Sequence, residues 1–292
     1  MSHYTVCIVS LVCRLMTGIG RCVRTKWTLL ALVPVCIAAP VTHSAWRTVA
    51  SAGLHDTRVA EADSDTLGVN LGLRLSYTGA EHLAGQTGVI AHYDHDIDHL
   101  DPDHDPFWFM ASGSLSQPMI RLGHSGVTIG WRTDVSWLQN TVFGLEETLQ
   151  AQLGIGLDYQ RQADAVGLAL GGGYYGLEWD DDVPEARGYS REALKRSSDA
   201  LVWKLFFQRS VKTELSWDGY WQQWRDQDDW LENQLFLAIH YPVNHSVMDS
   251  LNVSVSYTRY NLAPYRLQGK APILPWDENL LFRLYAEIPL AW

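Results

Sequence analysis

From Leu67 onward, apolar and polar side chains alternate one by one. Leu67, Val69, Leu71, Leu73, Leu75 and Tyr77 share one parity, and Gly68, Asn70, Gly72, Arg74 and Ser76 the other. Successive side chains of an extended strand point to opposite faces, so a period of two predicts a strand with one apolar face and excludes a helix. The pattern returns at Val127, Ile129, Trp131, Val135 and Trp137, broken only by Thr133, and again from Leu149 through Ala151, Leu153, Ile155 and Leu157 to Tyr159. It recurs at Leu201 to Phe207, Val211 to Trp221, Leu235 to Tyr241 and Leu251 to Tyr257. Aromatic residues collect at the ends of these runs.

These runs predict strands at roughly 66–77, 106–116, 119–137, 143–158, 165–178, 200–209, 211–222, 232–241, 250–262 and 278–292. The count is about ten, rising to twelve if Thr87 to Tyr93 and part of Arg47 to Leu54 are strands as well. Connections 78–105, 179–199, 223–231 and 263–277 are long or acidic and follow odd-numbered strands of this series, with 138–142 a short exception. Those after even-numbered strands are mostly brief: Gln117-Pro118, a few residues around Arg161, Ser210, and the turn from Pro242 to Asp249.

One-sided alternation suits a soluble β-sandwich that buries one face, here a secreted carbohydrate-binding module, as well as a membrane barrel that turns one face to lipid. Two features favour an all-β, transmembrane, antiparallel up-and-down barrel. Long connections on one side and short turns on the other are the organisation of such barrels. Moreover, Leu280, Phe282, Leu284, Ala286, Ile288, Leu290 and Trp292 alternate to the last residue, where soluble chains commonly fray. Past residue 45 no stretch of about 18 apolar residues occurs, so any crossing falls to strands.

Across residues 66–292 the chain resembles the β-barrels of the Gram-negative outer membrane. Its size, the Trp292 ending and the missing passenger look like solitary autotransporter-type barrels, although ten strands fall short of the twelve usual there. The resemblance implies partners in outer-membrane lipid and lipopolysaccharide, and in the barrel-assembly machinery, with Tyr285, Ile288, Leu290 and Trp292 carrying the assembly signal.

Composition adds a leader. Arg21, Arg24 and Lys26 precede an apolar stretch from Trp27 to Ala39, with small residues at Ser44 and Ala45, the layout of a secretory signal over residues 1–45. A second apolar run, Tyr4 to Val12, lies ahead of it and makes Met16 an alternative start. Residues 46–65 are expected to form a periplasmic lead-in to the barrel. All four cysteines, Cys7, Cys13, Cys22 and Cys36, lie in the leader, so the mature chain has no thiol for disulfide, zinc or nucleophile. Of the 22 basic residues Arg14, Arg21, Arg24 and Lys26 also go with it, leaving 18 against 33 acids, a net charge of −15. So acidic a surface repels nucleic acid.

By parity Arg74, Arg132, Asp134, Lys212, Glu214, Arg283 and Glu287 face the lumen, where opposite charges are expected to pair and narrow or plug it. That predicts a structural or small-solute transport role rather than an open porin. No cofactor is expected. The exception is a divalent cation in the segment 92–105, where His92, Asp94, Asp96, Asp98, Asp101 and Asp103 offer hard and borderline ligands; an acidic solvated loop is the plainer expectation. Charged residues Glu178, Asp180 to Asp182, Arg187, Arg191, Lys195 and Arg196 suit contact with lipopolysaccharide. A competing function is lipid hydrolysis on the outer wall by His240 with Ser216 or His124 with Ser112, neither in a Gly-x-Ser-x-Gly setting.

Overall fold

The computed structural model describes residues 45–59, 64–79, 82–94, 106–123, 125–140, 145–179, 195–211, 214–243, 245, 247–261 and 278–290. Twelve strands make one antiparallel sheet: β1 (Ala45–Val59), β2 (Ser64–Thr78), β3 (Ala84–Asp94), β4 (Phe107–Leu122), β5 (Val127–Asn140), β6 (Leu145–Arg161), β7 (Asp164–Trp179), β8 (Lys195–Arg209), β9 (Ser216–Arg225), β10 (Trp230–Pro242), β11 (Ser250–Tyr260) and β12 (Glu278–Leu290). Each strand pairs with its sequence neighbours and β1 pairs with β12, from Thr48 opposite Leu290 to Arg58 opposite Leu280, closing the barrel. A single closed layer excludes the two-layer sandwich.

The outward parity is the one the sequence marks. Leu71, Leu153, Ile155 and Leu170 are 60–65 % exposed, and Leu67, Val69, Leu168, Leu201, Leu235, Leu237, Ile239, Phe282 and Leu284 extend the same belt around the wall. A continuous apolar surface of this kind is out of place in water, and hydrocarbon is the medium that matches it. From Leu149 to Tyr159 on β6 the belt spans ten residue steps. At about 3.3 Å per residue and a tilt near 40° that is roughly 25 Å, the height of a bilayer's apolar slab. Aromatic contacts sit at its margins: Trp46 with Tyr77 at one, Tyr93 with Phe107 at the other, with ring centroids 4.7 and 5.0 Å apart.

The two strands beyond the ten most strongly patterned, β1 and β3, are the segments the sequence left as alternatives. Residues 46–65 are therefore no lead-in: Ala45–Val59 closes the ring. Its outward positions include only Ala50 and Ala52 between Thr48 and Leu54, which is why its alternation is faint. Gln117-Pro118 is likewise no turn. β4 runs on to Leu122, absorbing Pro118 at a register shift between Pro118 and Ile120, and the chain reverses at 123–126 on Gly123 and Gly126, with φ of 60° and 76°. A proline in a strand lacks a donor, so a bulge is where the sheet tolerates it. The strand expected at 211–222 begins only at Ser216.

At the end where β1 starts and β12 stops, the connections are 79–83, 123–126, 162–163, 210–215 and 243–249. At the other end lie 60–63, 141–144 and 226–229 with the three long ones, 95–106, 180–194 and 261–277. We call these the turn end and the loop end. The expected asymmetry holds, with the longest connections on one end only.

Position along the wall sets the cost of a charge facing lipid. Leu153→Arg, in mid-belt, is expected to lower unfolding free energy in lipid vesicles by about 2–4 kcal/mol, and Tyr241→Arg, near the turn-end margin, by about 1 kcal/mol or less. Denaturant titration of the two variants beside the parent checks the depth dependence.

Candidate functional site

The lumen is the space the closed ring encloses among the described residues, and its two ends differ. At the loop end it is filled. Leu145, Tyr175, Leu177, Trp179, Val202, Trp224, Leu231 and Tyr260, each at most 5 % exposed, form one apolar cluster, and Trp108 and Leu281 a second, with Leu138 packed against both. These side chains project inward from β4 to β12, so they meet across the barrel. The ring of Trp179 on β7 lies 5.6 Å from that of Tyr260 on β11, edge on, and Tyr175 sits 5.8 Å from Trp224. A buried carboxylate ties the plug together: Glu232 on β10 accepts from Gln150 Nε2 on β6 at 2.7 Å and from the Tyr175 hydroxyl on β7 at 3.0 Å. Both bonds cross the lumen.

Beside this plug, β12, β1, β2 and β3 present a polar wall. Register sets Arg283, His55, Gly68 and Asp94 in one row and Tyr285, Gly53, Asn70 and His92 in the next. Asp94 is fully enclosed, bonded to His55 Nε2 at 2.6 Å and accepting from Trp108 Nε1 at 2.9 Å. His92 stacks on Trp108 with centroids 3.5 Å apart. Gly68 is required here, since a Cβ at that position would lie 2.5 Å from the His55 ring. Arg283 donates to Asn70 Oδ1 at 3.4 Å and lies over the Tyr285 ring.

Toward the turn end the interior is charged. Arg74 pairs with Glu287 at 2.9 Å. Arg132 lies over Phe206 and Lys204 over Tyr220, each 4.2 Å from the ring centroid, while Gln152 donates to Asp134 at 2.8 Å. A cavity of about 250 Å³ opens here, lined by Arg121, Arg132, His82, Thr128, Gly156 and Asp158 among others.

Of the expected lumen charges, Arg74, Arg132, Asp134, Arg283 and Glu287 project inward from their strands. Glu214 does not: it is exposed in the connection before β9, because Ser216 starts that strand, and Lys212 lies outside the described residues. Among these five described residues Arg74 pairs with Glu287, and the tight closure is apolar. His92 and Asp94 of the expected metal set point into the lumen and are enclosed there; Asp96, Asp98, Asp101 and Asp103 lie outside the described residues. Among the described residues no group of three or more His, Cys, Asp and Glu is placed to hold a metal ion. In the proposed assembly signal Ile288 and Leu290 face outward and Tyr285 inward, while Trp292 lies outside the described residues.

Ser216 and His240 do not assemble into a hydrolase pair. Ser216 and His240 are cross-strand neighbours on the lumen face, not on the outer wall. His240 has both ring nitrogens engaged, Nε2 with Asp218 at 2.5 Å and Nδ1 with Asn252 at 2.7 Å. The Ser216 hydroxyl is bonded to the backbone N–H and carbonyl of Val211 at 3.0 and 2.9 Å, so neither group is free for the other. Ser112 faces the lumen opposite Ser136, and His124 lies outside the described residues.

A narrowed or plugged lumen is expected from the sequence, but as the work of paired charges; the apolar make-up of the plug and the cavity escaped sequence reasoning. Tyr175, Leu177 and Trp179 form an apolar run of the lumen parity, a usable signal, but it ends at a long connection and resembles an aromatic girdle.

No protein-family model and no curated protein matches the chain. Among solved structures it is similar to a porin refined at 1.8 Å, at 9 % identity over 84 % of this chain and 100 % of that one, with a TM-score of 0.36. The NanC porin aligns at 8 % identity over 83 % and 100 %, TM-score 0.45. The anion-selective porin from Comamonas acidovorans aligns at 7 % over 85 % and 99 %, TM-score 0.38.

Two predictions follow from the loop end. Trp179→Ala is expected to cost about 3–5 kcal/mol, and Tyr175→Phe, which strips one donor from buried Glu232, about 1–3 kcal/mol; denaturant unfolding in vesicles measures both. The second concerns the β9–β10 turn outside the belt. Burial opposes the charge of Asp226, but the N–H groups of Asp229 and Asp228 and the Arg196 guanidinium outweigh it and hold this carboxyl below its usual range. A depressed folded-state value stabilises above the ordinary Asp value of about 3.9 and is lost as pH falls through the folded value. Thermal unfolding followed by gel mobility is therefore expected to show the parent more stable than Asp226→Asn at neutral pH, with the gap closing only in acid below about pH 4.

Proposed function

We propose that the chain is an outer-membrane β-barrel with a narrow, plugged lumen, serving a structural or small-solute transport role without a standing pore. The observation that carries this reading is the cross-lumen core at the loop end, where Trp179, Trp224, Tyr175 and Tyr260 are at most 5 % exposed. Side chains buried to this degree leave no water column between them, and ions do not cross a dry apolar constriction cheaply. The apolar belt supports the membrane, and the loop asymmetry supports an orientation with the long connections on the cell exterior.

Outer-leaflet lipopolysaccharide is the partner this orientation suggests. Above the belt at the loop end the outward face turns polar: Arg58 beside Asp56 at 3.2 Å, Lys195 beside Glu178, and Arg259 beside Glu278 at 3.3 Å. Cations of this kind, each set beside a carboxylate, can meet phosphate groups of a lipid head layer directly or through bridging divalent ions.

In planar bilayers the purified barrel is expected to give no stable conducting channel, whereas Trp179→Ala combined with Trp224→Ala opens steps. Stable channels from the parent protein at once would overturn the plugged reading.

A further inference from the structure

The turn-end cavity has features that neither wall stability nor the plug requires. It holds about 250 Å³, lined by Arg121 and Arg132 together with His82 and Asp158. Arg121 meets His82 at 3.3 Å and Arg132 lies over Phe206 within electrostatic reach of Asp158, and among the described residues neither guanidinium makes a salt bridge. Asp158, on the same cavity wall, carries a buried oxygen, Oδ1, with no hydrogen-bond partner. Gly156 widens the space: a Cβ there would find no atom closer than Asp158 Oδ1, at 3.7 Å.

Two guanidinium groups that make no salt bridge and the Asp158 carboxyl, set around an open volume, define a complementary guest. A carboxylate is the group that a guanidinium recognises best, by charge-assisted and often two-fold hydrogen bonding. A neighbouring hydroxyl or ammonium can donate to the Asp158 carboxylate from within the cavity. The volume corresponds to about eight waters at roughly 30 Å³ each, so the guest is small.

We propose that this cavity binds a small hydroxy- or amino-carboxylate, its carboxylate held by Arg121 and Arg132 and its donor group by Asp158. The inference rests on the barrel reading in one respect only, that the cavity lies inside the turn-end mouth. Because the loop end is filled, the solute enters and leaves through that mouth, on the periplasmic side in the orientation above.

Calorimetric titration of the detergent-folded barrel with glycerate, propionate and glycerol tests it, with gel heat-modifiability confirming that each sample is folded. Glycerate is expected to bind saturably, and propionate and glycerol about tenfold more weakly or worse, since each lacks one half of the recognition. Arg121→Gln should weaken glycerate about tenfold, Gly156→Val should abolish binding by filling the space, and Asp158→Asn should erase the preference over propionate. Absence of saturable heat from the folded parent, or glycerate binding indifferent to Arg121→Gln and Gly156→Val, would overturn the proposal. Channel recordings do not bear on this outcome, so a failure here leaves the plugged-barrel reading standing, and an open pore leaves the binding measurement valid.

Discussion

Backbone hydrogen bonding in a medium without water governs the arrangement. Every N–H and C=O of a strand that crosses hydrocarbon must find a partner within the protein, and an open sheet leaves two unpaired edges, each group costing several kcal/mol. The antiparallel pairing of β1 with β12 removes both edges at once. Other features are consequences of that closure. A closed ring separates side chains strictly by parity, sends one set to lipid, and forces the other into a confined interior that must be filled, hydrated or kept open.

How that interior is filled separates this barrel from a channel. Charges alone could narrow it, but a charge pair in a wet lumen is worth little and tolerates water between its members. Aromatic and aliphatic side chains packed from opposite walls leave no such gap. The cost is that polar groups caught beside them lose water: Glu232 is satisfied by Gln150 and Tyr175 and Asp94 by His55 and Trp108, whereas both ring nitrogens of His92 have no hydrogen-bond partner among the described residues. The interior is thus divided along its axis, apolar and closed toward the long loops, charged and open toward the short turns.

The fold was legible wherever large apolar residues marked one parity. β2 and β6 stand out because leucine, isoleucine, valine and tyrosine recur along one parity against mostly glycine, glutamine, asparagine or arginine, and β12 because large apolar residues hold one parity from Leu280 to Leu290 with only Ala286 between. β1 and β3 are faint because alanine and glycine take outward sites, at Ala50, Ala52, Gly85 and Ala91, and small residues carry almost no hydropathy contrast. Pro118 misled for a different reason: proline signals a turn, and only the partner strand's register shows that a bulge accommodates it. Parity was enough to aim Arg74, Arg132, Asp134, Arg283 and Glu287 at the lumen. It carries no information on which strands face each other across the ring, so neither the contact of Trp179 with Tyr260 nor the meeting of Arg121 and Asp158 at one cavity could be read from the chain.

The same geometry explains why recognition, if the barrel has it, belongs at the turn end. A binding site needs room, desolvated walls and charges that are not already spent. The loop end has desolvated walls without room, since its tryptophans occupy the space. Along the polar wall the charges are spent, Asp94 on two donors and Glu287 on Arg74. At the turn-end mouth Arg121 and Arg132 make no salt bridge among the described residues, beside a glycine that leaves the floor open. The plug one level above them removes any route for solvent to stream through, so a solute held there exchanges with one compartment only. In the binding role proposed above, a cavity closed on its far side is a receptor mouth rather than a segment of a pore.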